Sequence, residues 1–144
     1  MVTMTIPGQP VAQPRHKISS RGGFGRAYIP ARHPIHEYRK QIQAAAARAF
    51  AVPLEGPVQI ELEFIFCRPE SHWNKTGLRS TAPVYPPKND FDNLAKAATD
   101  PLNTIAFLDD EQICSAVIKR AYAKGRNESG CTVIRISTLA QSAH

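Results

Sequence analysis

Residues 90–122 read DFDNLAKAATDPLNTIAFLDDEQICSAVIKRAY, and three patterns follow one another within them. In FDNLAKAATDPLNTI, Leu94, Ala98, Leu102 and Ile105 recur at helical spacing. Asp92 stands at or near the N-cap, where a carboxylate accepts hydrogen bonds from the free amides of the first turn. The same periodicity turns Asp92, Lys96 and Asn103 to the opposite, polar side. Pro101 cannot donate to the helical ladder, so the helix kinks or ends near Asp100. FLDDEQI then reads as a tight acidic turn or strand start, and ICSAVIKRAYA as a strand. A helix answered by a return strand can carry Asp109 or Asp110 back to the start of that helix.

Upstream, VQIELEFIF alternates Val58, Ile60, Leu62, Phe64 and Phe66 with Gln59, Glu61 and Glu63, the pattern of a strand with one wet face. HPIHEYRKQIQAAAARAF predicts a helix over 34–50: Pro34 is tolerated in its first turn, and Ile35, Tyr38, Ile42, Ala45, Ala46 and Ala49 form one apolar face. VTMTI and RAYIP read as short strands flanking a glycine- and serine-rich basic loop. At the other end, ICSAVIKRAYA and CTVIRIST, separated by KGRNESG, predict an antiparallel hairpin. The expected fold is α+β: a small mixed β-sheet with two main helices packed on it and a C-terminal β-hairpin. One domain over 1–144 is expected, with a mobile basic loop at about 13–26 and a proline-rich loop at about 68–88 that has no usable periodicity.

The chain has 144 residues, 18 Lys+Arg against 12 Asp+Glu, and a formal charge of +6. Such a balance suits an anionic partner, nucleic acid or membrane surface. No apolar run is long enough to span a membrane and the N-terminus lacks the regions of a signal peptide, so a cytoplasmic protein is expected. From Met1 to His36 there is no acidic residue, while Arg15, Lys17, Arg21, Arg26 and Arg32 lie there with Phe24 and Tyr28 among them, a mixture suited to phosphate and base contact. Lys119, Arg120, Arg126 and Arg135 return positive charge near the C-terminus. Cys67, Cys114 and Cys131 are widely spaced and read as buried, reduced thiols. His33 and His36 bracket Pro34 at a helix start and read as surface residues rather than metal ligands.

All five aspartates, Asp90, Asp92, Asp100, Asp109 and Asp110, fall within this one stretch. Two carboxylates about 4 Å apart repel by about 4 kcal/mol at an effective dielectric near 20, a large share of a net stability of about 5 to 15 kcal/mol. Protonation of one group, pairing with Lys96 or a bound divalent cation can each offset that repulsion, and hard carboxylate oxygens suit the cation best. The ordinary alternative makes Asp92 a cap, Asp109 and Asp110 a turn and Asp100 a helix end. An EF-hand loop is excluded by Leu94 and Ala95 where a further ligand and glycine belong, and no glycine-rich phosphate loop exists, so no nucleotide cofactor is expected.

DFDNLAKAATDPLN followed by FLDDEQI resembles the signature D-x-D-N-L-x-K-A, helix, D-D-x-Q-[VI] of the RusA family of Holliday junction resolvases, commonly carried on phages. TIPGQPVAQPR, the YIP strand, the EYRKQI helix and the closing VIKRAY strand stand in the family's order. The resemblance implies a small basic homodimer that uses Mg²⁺ or Mn²⁺ to cut four-way DNA junctions. It implies Asp90, Asp92 and Asp110 as the catalytic and metal-binding carboxylates, Lys96 as the catalytic lysine, and Asp109 as their neighbour. Arg15, Lys17, Arg21, Arg26, Lys88, Lys119 and Arg120 would then hold backbone phosphates. Two rivals are a non-catalytic basic DNA-binding protein with a structural acidic metal site, and a metal-dependent enzyme acting on a small phosphate ester.

Overall fold

In the computed structural model the described residues are 1–14, 17–19, 26–87 and 91–140, with the backbone alone at 17–19 and 26–28. The organising element is β4 (Val58–Phe66), whose alternate residues Val58, Ile60, Leu62, Phe64 and Phe66 are buried while Gln59, Glu61 and Glu63 are not. It is paired on both sides, antiparallel to β8 (Cys131–Thr138) and parallel to β7 (Ile113–Tyr122). β1 (Val2–Pro7) adds to the far side of β8 in antiparallel register, Met4 opposite Ile134 and Ile6 opposite Thr132. The sheet order is therefore β1-β8-β4-β7.

This order corrects the expected C-terminal hairpin. β7 and β8 follow one another in the chain but are not neighbours, because β4 lies between them. The connection from Ala123 to Gly130 has eight residues, enough to step over one strand at about 4.8 Å per strand spacing. At its end the chain passes β4 closely: a Cβ on Gly130 would sit 2.4 Å from the Ile65 carbonyl oxygen and 2.7 Å from Gln9 Oε1. Gly8 N–H donates to the Gly130 carbonyl at 3.1 Å, joining β1 to the same corner.

α1 (Ile35–Ala49) and α2 (Phe91–Thr99) supply the helical layer. α1 buries Ile35, Tyr38, Ile42 and Ala46 at the expected spacing, but the stripe closes on Phe50 while Ala49 is exposed. α2 buries Leu94, Ala97 and Ala98, and stops where Pro101 enters a 3-10 turn over Asp100–Leu102. These residues join Leu102, Ala106, Phe107, Ile134 and Ile136 in one hydrophobic cluster. The Tyr38 hydroxyl reaches Thr132 Oγ1 at 2.6 Å inside that cluster, so two polar groups are buried as a pair. Burial pushes the Tyr38 phenol up to about 12, the hydrogen bond to Thr132 opposing the shift.

Parallel pairing of β4 with β7 requires a long crossover, and residues 67–112 provide it. The described part of the proline-rich stretch, residues 68–87, holds more structure than the sequence pattern indicates. A 3-10 turn (Glu70–His72) leads into a small hairpin of β5 (Trp73–Asn74) and β6 (Gly77–Leu78). The Arg68 guanidinium lies 4.4 Å from the centre of the Tyr122 ring, the His72 ring meets Tyr122 edge-on at 5.4 Å, and Arg68 Nη1 donates to the Pro83 carbonyl at 2.8 Å. Arg126 pairs with Glu70 and donates to the Asn74 carbonyl, fixing the outer side of the same segment. Near the N-terminus, β3 (Arg26–Tyr28) is the strand expected at RAYIP, and it pairs as a two-stranded ribbon with β2 (Lys17–Ser19), which lies within the stretch expected to be a loop. Among the described residues no helix is long and apolar enough to cross a membrane.

Candidate active site

α2 begins at Phe91 and carries Asp92 in its first turn, with Lys96 one turn further on. Both side chains are exposed, on the side of the helix away from Leu94, Ala97 and Ala98. An acidic residue four positions before a lysine is the favourable orientation for such a pair on a helix. Asn103 does not join them as helical spacing predicts. The helix has ended by Thr99, and the Asn103 side-chain oxygen is buried without a hydrogen-bond partner among the described residues.

The second acidic element is a 3-10 turn over Asp110–Gln112 that leads directly into β7. Asp109 is its N-cap, accepting from the Glu111 amide at 3.0 Å. Gln112 closes the turn with all of its side-chain polar capacity. Its Oε1 accepts from Leu108 N at 2.7 Å and Asp109 N at 3.1 Å, and its Nε2 donates to the Leu54 carbonyl at 2.8 Å and the Gly56 carbonyl at 2.9 Å. The acidic turn is thereby tied to the connection that enters β4. Gln112 is the positioning residue that reasoning from charge missed; the signal was its place in the D-D-x-Q run.

The two neighbouring carboxylates are electrostatically unequal. The Asp109 carboxyl is held below its ordinary value, first by the Glu111 amide and then by a hydrogen bond from Asp110. The Asp110 carboxyl is pushed up, first by that hydrogen bond to Asp109, then by desolvation and by the negative charges of Asp109, Asp100 and Glu111. Asp109 thus does the capping, while the Asp110 carboxyl stands in the field of Asp109, Asp100 and Glu111. An all-oxygen donor set under mutual repulsion fits a hard divalent cation. Among the described residues no three His, Cys, Asp or Glu are grouped to hold a metal ion, so a three-carboxylate site must draw on Asp90, which lies outside the described residues.

A family model described as Endodeoxyribonuclease RusA matches residues 7–137, most of the chain. The chain belongs to the RusA endodeoxyribonuclease family. It is also 26% identical over 129 residues to "Uncharacterized protein YqaN" of Bacillus subtilis (strain 168), covering 85% of this chain and 89% of that one. The resemblance drawn from the central motif is therefore membership, and the chain is of an endodeoxyribonuclease type.

The basic residues expected to hold DNA in a RusA protein are dispersed. Arg15, Arg21 and Lys88 lie outside the described residues, while Lys17 and Arg26 stand on the β2–β3 ribbon. Lys119 and Arg120 occupy opposite faces of β7. Arg120 is level with buried Phe64 on the helix side, and Lys119 is level with Glu63 on the open side, 3.9 Å from Glu61. Val84 and Tyr85, both exposed, stand just before residues 88–90 and face solvent on the approach to α2. The thiols are free, but none is buried as expected: Cys67 and Cys131 are half-buried, and Cys114 is exposed because it lies at the outer edge of the sheet. His33 accepts from the Ile35 amide at 3.1 Å and the His36 ring bonds the Pro30 carbonyl at 3.0 Å, both at the start of α1.

Proposed function

We propose that this RusA-family chain is a magnesium-dependent, structure-selective endonuclease that resolves Holliday junctions by phosphodiester hydrolysis, in recombination and repair, as a homodimer. The observation that carries this reading is the family match across residues 7–137. Asp90, Asp92 and Asp110 would hold Mg²⁺ or Mn²⁺, which when bound supplies Lewis acidity toward water and the scissile phosphate. Asp109 is committed to capping, which leaves Asp110 as the ligand of the pair. Lys96, exposed one turn after Asp92, offsets negative charge that grows on the phosphate oxygens during attack. Gln112 keeps the acidic turn in register with β4, so the carboxylate of Asp110 is presented from a fixed backbone. Arg15, Lys17, Arg21, Arg26, Lys88, Lys119 and Arg120 supply phosphate contacts, and two sites related by a two-fold axis suit symmetric nicks in a four-way junction.

A synthetic four-way junction and a linear duplex of the same sequence, incubated with Mg²⁺ and with a chelator, test the reading. Paired nicks near the crossover are expected with Mg²⁺ alone. Undiminished cutting in chelator, or equal cutting of the linear duplex, would refute it.

A further inference from the structure

Between α1 and the 3-10 turn that follows α2 lies a groove of about 280 Å³, lined by Arg39, Gln43, Asp100 and Pro101. Asp100 comes one turn of chain after Lys96, as Lys96 comes one turn after Asp92, so the groove adjoins the polar side of α2 just past the lysine. It borders the second acidic element too, since the charge of Asp100 is felt at Asp110.

The two walls of the groove carry opposite chemistry. Arg39 and Gln43 stand one turn apart on α1, and Asp100 opens the 3-10 turn across from them. Arg39 is held in place by Gln13. The Gln13 amide donates to the Asn93 carbonyl at 2.9 Å, and its side-chain Oε1 accepts from Arg39 Nη2, so the guanidinium is anchored to the first turn of α2 beside Asp92. Arg39 Nε is buried and has no hydrogen-bond partner among the described residues. A half-buried guanidinium paired so incompletely costs stability. Asp100 does not relieve that cost, because among the described residues no ion pair joins it to Arg39.

A phosphate would suit Arg39 and be repelled by Asp100; a cation would suit Asp100 and be repelled by Arg39. A ligand that fills the groove must offer acceptors to one wall and donors to the other. Guanine is the base that does so in pairs: O6 and N7 accept from a guanidinium, while N1–H and the N2 amino group donate to a carboxylate. The volume, just under the roughly 300 Å³ at which small-ligand sites begin, suits one heterocycle. In a duplex the N1–H edge is taken by cytosine, so only an unpaired guanine presents both edges, and a branch point is where a base can leave its stack.

We infer that the groove between Arg39 and Asp100 is a recognition pocket for an unpaired guanine beside the scissile phosphate, with Arg39 donating to O6 and N7 and Asp100 accepting from N1–H and the N2 amino group. This role rests on the junction-nuclease reading and deepens it: a linear duplex, with every guanine paired, leaves the groove unfilled.

The test uses four-way junctions that differ in one base at the crossover, placed on either side of the cut and opposite an abasic site, so that no base pair has to be broken. With the full chain and Mg²⁺, guanine on one side should raise the single-turnover rate at least about tenfold over the other three bases. Hypoxanthine, which lacks the N2 amino group, should lose about fivefold against guanine in the wild type and almost nothing in Asp100→Ala. The analogue 7-deazaguanine, which lacks N7, should lose about fivefold in the wild type and almost nothing in Arg39→Met. Each comparison is a ratio within one protein, so a lower overall rate in a variant does not disturb it. Cleavage of all four bases within about twofold, preference for another base, or analogue losses that persist in the variants overturns the pocket and leaves the nuclease reading standing. A wild type that cuts no junction removes the nuclease reading instead. Gel shift on the same panel then decides the pocket: guanine junctions should bind about tenfold more tightly, and a flat ranking overturns it.

Discussion

Gln112→Glu changes one atom pair and two hydrogen bonds. The retained Oε1 can still accept from Leu108 N and Asp109 N, but the lost Nε2 leaves the Leu54 and Gly56 carbonyls without their donor and opposite a new anion. Each half-buried carbonyl deprived of its partner costs about 1 to 2 kcal/mol, so the substitution should destabilise the chain by roughly 2 to 4 kcal/mol. For 144 residues the entropy of unfolding is on the order of 0.3 kcal/mol per degree, which places the fall in Tm at about 7 to 13 °C. Calorimetry on both proteins checks this, and the gap should narrow at low pH, where the new carboxyl regains a proton to donate. A Tm within about 1 °C of the wild type would show that Gln112 does not hold the turn to the entry of β4.

Gly130→Ala should cost about 1 to 3 kcal/mol, because the added carbon meets the Ile65 carbonyl at 2.4 Å, and urea unfolding should show a lower midpoint with an unchanged slope. Tyr38 has a folded-state phenol at about 12 against an unfolded value of 10.0. Between those values the unfolded chain sheds the proton first, so roughly 2 to 3 kcal/mol of stability present below pH 10 should vanish by pH 12. Tyr38→Phe should flatten that alkaline fall, and an equally steep fall in the variant would contradict the assignment. Lys96→Ala should lower the junction-cleavage rate by about 10²-fold or more while affinity changes little; an unaltered rate would make Lys96 a structural partner of Asp92.

The parts of the fold that local pattern dictates were legible in the chain. Alternation in Val58–Phe66 announced the buried face of β4, the spacing of Ile35, Tyr38 and Ile42 announced α1, and Pro101 marked the end of α2. What failed depended on contacts distant in sequence. β7 and β8 resemble a hairpin to any local reading, and only the preference of β4 for a partner on each side separates them. Order in the proline-rich crossover comes from Arg68 and His72 packing on Tyr122, about fifty residues away in the chain. The aspartates were legible as neighbours along the chain, but the difference between Asp109 and Asp110 was not, because it lies in one backbone hydrogen bond that charge patterning cannot show.

Junction cleavage by Asp92→Asn and Asp110→Asn, run beside a gel-shift measurement of junction binding under the same Mg²⁺ and salt, tests the central claim most directly. Loss of both nicks in each variant with binding kept within a few-fold of wild type is the predicted result. Wild-type cleavage by either variant would contradict the claim that these carboxylates perform the hydrolysis.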